Sequence, residues 1–343
     1  MTTAERSLGV TLPFDDVPLL AHRPLLRRLV AGGYRDVWTG EVAGPDGFGP
    51  LMLFRGWEDD LGLSCAAASV FTRGPGVLAM TAATLAEAAP GRCRFGIGAG
   101  SPVLAETWNG VRFERPYQRV VDTLRFLRQT LAGERADDQP TVHGAGFRLA
   151  RPVEVPPRLL VAVAGPRMQD FAAAEADTMA LNFLSADDVG TIVRRTAGVE
   201  RVAPGPLETA VRVFLLPREG PGAEQAARRF LAGYLTVPTY AAFQRWLGRE
   251  ELLAPMNAAW RAEDRRGAVA AIPDRVLRDL VVFGSPAECA AAVEGYFDGG
   301  ADAVTLALVP DPDAVPPGER VDFLVELAGL SGAGPQAPGV ARS

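Results

Sequence analysis

The sequence predicts an α/β protein built as a (β/α)8 barrel, and three observations carry that expectation. Short apolar, β-prone runs recur along the 343 residues, helical stretches separate them, and about eight such runs can be found. A doubly wound sheet is the competing arrangement. The expected strands lie near Leu8–Leu12, Asp36–Thr39, Gly62–Ser69, Arg94–Gly98, Leu159–Val163, Thr178–Phe183, Leu207–Leu215 and Ala303–Leu308. Between them, Leu25–Ala31 reads as a helix stopped by Gly32-Gly33, and Leu78–Ala89 as an Ala-rich helix closed by Pro90-Gly91. Arg115–Leu131 places Val120, Val121, Leu124, Leu127 and Leu131 at helical spacing. Pro286–Gly295 is a further short helix, with Ser285 as its N-cap.

Two stretches break the alternation. Residues 133–157 are polar and carry Pro and Gly, with a small hairpin expected over Thr141–Leu149. Residues 220–279 are mostly helical and fall between the seventh and eighth expected strands. Insertions at the C-terminal ends of barrel strands generally build the substrate pocket. One barrel domain over residues 1–330 is expected, followed by a Gly/Pro/Ala-rich tail over 331–343 expected to be disordered.

Composition removes several mechanisms. All 35 basic residues are arginine, so there is no lysine for a Schiff base, a pyridoxal-phosphate aldimine or a P-loop. His22 and His143 are the two histidines, too few for a multi-histidine metal centre, and no metal site is expected. Cys65, Cys93 and Cys289 are widely spaced, form no CxxC pair and read as inert buried thiols. A net charge of −6 with dispersed arginines argues against nucleic-acid binding and leaves small molecules as the expected partners. No apolar run reaches the ~18 residues that span a bilayer, and a cytoplasmic protein without membrane attachment is expected.

Several segments could carry chemistry. Phe95–Ser101 runs a strand into a loop with Gly96, Gly98 and Gly100, which either let a ligand approach the backbone or relieve crowding within the barrel. It is not a dinucleotide fingerprint, because the next glycine is Gly110 and no helix opens at once. Val163–Met168 leads from a strand into a helix; its free N–H groups and Arg167 suit a phosphate, although a plain turn with Pro at the first helical position has the same pattern. In Ser69–Pro75, Arg73 is either a site residue or a surface charge, and Thr72 either a ligand contact or a helix cap. Glu41 follows the second strand, within reach of a ligand or simply solvated.

Taken together, these segments resemble the luciferase-like monooxygenase superfamily, and within it the oxidoreductases that use the deazaflavin coenzyme F-420. The matching stretches are Asp36–Phe48, Phe71–Pro75 with Leu78–Leu85, Gly91–Pro102, Trp108–Pro116, Ala164–Met168, and Tyr234–Pro238 with Arg245–Gly248. The resemblance implies a barrel with the cofactor across the C-terminal ends of the strands. On that reading Glu41 lies near the deazaflavin ring or its hydroxylated chain, and Ser69-Val70 is the place of a non-prolyl cis peptide behind the ring. Thr72 donates to the cofactor, Gly98, Gly100 and Ser101 form the glycine loop beside it, Ala164, Gly165, Arg167 and Met168 form the phosphate turn, and Asn182 meets the tail.

Where the sugar-phosphate branch of the family has a His after the acidic residue and a Glu closing the glycine loop, this chain has Val42 and Ser101. Sugar-phosphate dehydrogenation is therefore disfavoured, and luciferase-type oxygenation lacks its histidine too. Hydride transfer asks the protein mainly to align donor and acceptor and exclude water. A proton, where needed, comes from Ser101, Glu106, Tyr117 or water; Glu41, Ser101 and Glu106 are the catalytic candidates, and Glu106 also reads as a solvated loop carboxylate. Trp108, Asn109 and Phe113 are expected at the substrate pocket, the two aromatics as its wall or as ordinary core. The expectation is a coenzyme F-420 (8-hydroxy-5-deazaflavin) oxidoreductase, a homodimer acting on a small molecule. An FMN-dependent monooxygenase of the same superfamily and a non-catalytic flavin-binding barrel are the alternatives.

Overall fold

The computed structural model describes residues 6–332. Its strands are β1 Ser7–Thr11, β2 Asp36–Thr39, β3 Gly62–Ser69, β4 Cys93–Gly98, β5 Arg158–Ala162, β6 Thr178–Asn182, β7 Glu208–Leu216, β8 Val281–Phe283 and β9 Ala303–Leu308. All neighbours are parallel in the order β6-β5-β4-β3-β2-β1-β9-β7, and β6 also pairs with β7, which closes an eight-stranded barrel. Closure excludes the open doubly wound sheet. The eight expected strands are the eight barrel strands. β8 is an addition; it pairs with β7 outside the closed ring.

Helices α1 His22–Ala31, α2 Gly49–Trp57, α3 Pro75–Ala88, α4 Pro116–Leu131, α5 Pro166–Glu175 and α6 Ala186–Thr196 follow β1 to β6 in turn. After β7 come α7 Pro221–Leu235, α8 Pro238–Trp246, α9 Glu250–Arg261, α10 Arg265–Ala270 and α11 Asp274–Leu280, then β8 and α12 Pro286–Asp298. α13 Pro317–Leu330 follows β9. Ser285 caps α12 in a reciprocal box with Glu288, satisfying two backbone donors at once. The hairpin expected over Thr141–Leu149 is replaced by a single bridge, Gln139 to Val142. The amides of Gly144 and Ala145 turn instead to the Asp138 carboxylate (3.0 and 3.1 Å), so no second strand forms. Ser331 donates to Glu294 (2.7 Å), and the tail from residue 333 onward lies outside the described residues.

Side chains alternate along each strand between the helix-facing core and the barrel interior. Val37, Leu63, Phe95, Val161, Leu181, Val211 and Val304 join the outer core. Inside, Trp38, Leu160, Ala210 and Ala303 pack as one layer. A side chain at Gly9 would run into the Trp38 indole and one at Gly96 into the Cys65 carbonyl, so those two glycines make room within the barrel wall. For Gly96 the crowding reading is the one the structure supports.

Below that layer the N-terminal end is closed by charge. Arg94 donates to both Glu208 oxygens (2.9 and 2.8 Å) and to Asp36 (3.1 Å), and Thr178 donates to Glu208 (2.6 Å). The opposite end, where β1 to β7 and β9 deliver their C-termini, is the open mouth.

Candidate active site at the barrel mouth

Most of the residues singled out from sequence come from strand C-termini or the loops after them, while Tyr117 lies in the first turn of α4 and Arg167 and Met168 in the first turn of α5. Glu41, just past β2, has a side chain only 13% exposed and pairs with Arg73 from the loop after β3 (Nε to Oε1, 3.1 Å). The Gly47 amide also donates to Glu41 (3.1 Å). Arg73 is held above its ordinary pKa by its hydrogen bonds to Glu41, and its guanidinium lies over the Phe48 ring. It is therefore tied into the mouth and is not a free surface charge.

Ser69 is buried, its hydroxyl donating to the Ala99 carbonyl (3.0 Å) and accepting from the Phe71 amide (3.2 Å). Val70 is buried too; its carbonyl accepts from Arg119 (3.0 Å). Thr72 donates to the Ser69 carbonyl (3.2 Å), so in this structure it stabilises its own turn and caps no helix. The non-prolyl cis peptide lies at Ala66-Ala67, not at Ser69-Val70. It falls where the β3–β4 register shifts between Cys65 and Ala68, a placement that residue spacing around Ser69 could not reveal.

The glycine loop follows β4. Gly100 sits at φ +70°, a left-handed position natural to glycine, and Gly98 faces only the small side chains of Ala162 and Ala67 (3.3 and 3.6 Å from a Cβ position). Ser101 accepts from the Leu104 amide (3.2 Å), which ties it to the π-helical turn Val103–Thr107. Glu106 is exposed and braces the loop by accepting from the Phe113 amide (3.0 Å). Asn109 donates to the Leu104 carbonyl (2.7 Å), Trp108 is 53% exposed, and Phe113 packs its ring on Phe71 at 4.7 Å.

After β5, Ala164 and Gly165 lead into α5 with Pro166 at its first turn. No side chain caps this helix start, and the space at Gly165 is open. Arg167 is exposed, its guanidinium 3.8 Å from the centre of the Tyr117 ring, and Met168 packs against the core. Pro166 has no N–H, and the Met168 and Gln169 amides donate to the Gly165 carbonyl (3.1 and 3.2 Å), so what this helix start offers an anion is the Arg167 amide with the Arg167 guanidinium beside it.

Asn182, at the end of β6, donates to the Tyr240 hydroxyl (3.2 Å) of α8. Phe183, Phe214, Phe230, Tyr234 and Tyr240 form a continuous aromatic wall, ring centres 4.6 to 6.0 Å apart. The inserted helices thus shape the mouth over β6 and β7. Burial raises the pKa of both tyrosine hydroxyls.

Sequence reasoning missed Arg212. It lies in register with Asn182 of β6 and Thr305 of β9, facing the barrel interior. Its Nη2 donates to the Thr39 and Ala66 carbonyls (3.1 and 3.0 Å), while its Nε is buried without a partner. Burial lowers the pKa of this guanidinium. The signal was present: Glu208, Ala210 and Arg212 share one strand parity, so a charge at the C-terminal end of that series had to enter the mouth. The two histidines are elsewhere. His22 is buried, accepting from the Phe14 amide (2.8 Å), and His143 is exposed on a loop. Among the described residues no group of His, Cys, Asp or Glu is arranged to hold a metal ion, and no helix is long and apolar enough to cross a membrane.

The family model for luciferase-like monooxygenases matches residues 12–303. A Mycobacterium tuberculosis protein bearing the name coenzyme F-420-dependent oxidoreductase is 24% identical over 309 residues, covering 82% of this chain and 89% of its own length. An F-420-dependent glucose-6-phosphate dehydrogenase from Kineococcus radiotolerans is 27% identical over 241 residues, 66% of this chain and 65% of that protein. Among solved structures, the coenzyme F-420-dependent tetrahydromethanopterin reductase of Methanopyrus kandleri superposes with a TM-score of 0.74 at 19% identity, covering 94% of this chain and 98% of the reductase. That likeness extends over the whole barrel.

Proposed function

This chain belongs to the luciferase-like monooxygenase family, and from that premise we propose that it is an oxidoreductase moving a hydride between coenzyme F-420 and a small organic molecule. The observation that carries the cofactor reading is the start of α5, uncapped and open at Gly165 with Arg167 alongside, where a phosphate fits. Gly40, Gly98 and Ala162 at the strand ends are small where a larger side chain would press on its neighbours, a Cβ at Gly40 on the Arg212 guanidinium (3.3 Å) and one at Gly98 on Ala162 (3.3 Å). Small residues there suit a flat ring across the mouth. Relatives named for F-420 support the same choice. When bound, the deazaflavin supplies a ring carbon that donates or accepts hydride.

This chain's residues then position and shield. Ala164, Gly165, Arg167 and Met168 hold the phosphate, and the Glu41–Arg73 pair borders the ring or its hydroxylated chain. Asn182, steadied by Tyr240, reaches the tail, and the aromatic wall excludes water. Ser101 and Glu106 are committed to loop geometry in this structure, so alignment of donor and acceptor is the main catalytic contribution. The chemistry is a cytoplasmic one in this reading, and we also propose that two copies associate as a homodimer.

The test is a pair of fluorescence titrations of the purified protein, one with coenzyme F-420 and one with FMN. Micromolar binding of F-420, with FMN at least about tenfold weaker, is the expected result. Binding of FMN alone would replace F-420 by FMN in this reading, and binding of neither would remove the enzyme assignment.

A further inference from the structure

We propose that the substrate carries an anionic group, a carboxylate or similar oxyanion, which docks on Arg212. This rests on the oxidoreductase reading above only in taking the occupant of the mouth as the hydride partner. A cavity of about 440 Å³ opens between the C-terminal ends of β1, β7 and β9. Arg212, Arg218 and Arg320 line it. Two of these charges are already matched: Arg320 makes a two-pronged pair with Asp16 (2.8 and 2.6 Å), and Arg218 pairs with the buried Asp311 (2.6 Å).

Arg212 differs from both. Among the described residues no carboxylate lies within ion-pairing distance of it, and the remaining acid on the cavity lining, Asp15, is exposed to solvent. Two backbone carbonyls take its Nη2, and its Nε is buried without a partner, as is Nε of Arg320, so the missing carboxylate is what sets Arg212 apart. A half-buried guanidinium that meets only neutral acceptors lacks a counter-charge, and a ligand oxyanion in the cavity supplies it at the side of the guanidinium that lines the cavity. The fork geometry of arginine suits a planar carboxylate better than an ammonium would. The rest of the lining, with Phe14, Phe214 and Tyr234, is apolar and aromatic, which fits an acid with a hydrophobic body.

Calorimetry with benzoate and its neutral counterpart benzamide tests this, on the protein alone and after loading with F-420. Benzoate is expected to bind at least about tenfold more tightly than benzamide in both states. The variant Arg212→Met should abolish the preference, and Arg212→Lys should keep part of it; if the Met variant does not fold, the Lys variant and the wild-type pair decide. Equal binding of the two compounds by the wild-type protein, or a preference unchanged in a folded variant lacking the guanidinium, overturns the proposal. A preference that disappears once F-420 is bound assigns the charge to the cofactor and overturns it as well. Failure of F-420 to bind while the benzoate preference persists counts against the cofactor reading alone.

Discussion

At the scale of single residues, the barrel treats its two ends in opposite ways. Arg94 at the closed end has two carboxylates against it, whereas Arg212 at the mouth has none among the described residues. Burial alone would raise the Glu208 carboxyl, but hydrogen bonds and charge from Arg94 and Arg158 outweigh it and hold the group below its ordinary range. A depressed carboxylate contributes stability that is complete above its unfolded value, near 4.5, and that is lost as pH falls through the lower folded value. Glu208→Gln leaves Arg94 short of its main partner and should cost about 3–5 kcal/mol at pH 7. Urea unfolding at pH 7 and again below pH 4 checks this. The gap between wild type and variant should narrow at the acid end; a gap that stays constant would mean the loss is one of packing rather than charge. The buried thiols follow simpler logic: burial raises Cys65, Cys93 and Cys289 to about 12, as expected of inert cysteines.

At the scale of elements, alternation was legible and local diversion was not. The eight barrel strands could be placed because each buries both faces and is bounded by turn residues, so its apolar run stands out. Three-residue β8 gave no such signal, since Val281–Phe283 continues directly from the apolar end of α11. The hairpin near residue 141 failed because Asp138 competes for the amides that a second strand would need. Site residues split the same way: the turns at Ala164–Met168 and Gly98–Ser101 announce themselves by glycine and proline, but Asn182 meets Tyr240 only because a helix 58 residues later folds over it. The α5 start yields a direct test. Arg167→Ala removes the exposed cation at an uncapped helix start, so F-420 affinity should fall about tenfold, equivalent to about 1.4 kcal/mol. Unfolding free energy should move by no more than about 1 kcal/mol, the worth of the Tyr117 contact. Unchanged affinity would show that Arg167 does not touch the phosphate.

On the scale of the whole molecule, the inserted helices after β7 are distributed unevenly, and that leaves one flank bare. α7 to α11 pack their own apolar faces over the β7 side, with Leu231, Leu235, Leu253 and Met256 buried. On the opposite flank α2 and α3 leave Met52, Val77 and Met80 at 38%, 46% and 50% exposure, around an apolar groove of about 310 Å³. Contiguous apolar side chains that project to solvent from two adjacent helices favour association, and a second copy presenting the same strip forms a self-complementary two-fold contact. In such a contact every substitution occurs twice. Met80→Glu would bury two carboxylates without partners, at a cost of several kcal/mol each, while leaving the monomer's own core untouched. Sedimentation equilibrium should therefore find the wild-type protein at twice its 36.3 kDa chain mass and the variant at 36.3 kDa. The variant should still bind F-420, because Met80 projects to solvent from α3 in the outer helical layer. A wild-type chain that sediments as a monomer at micromolar concentration, or a Met80→Glu protein that stays paired, would remove α2 and α3 as the dimer face.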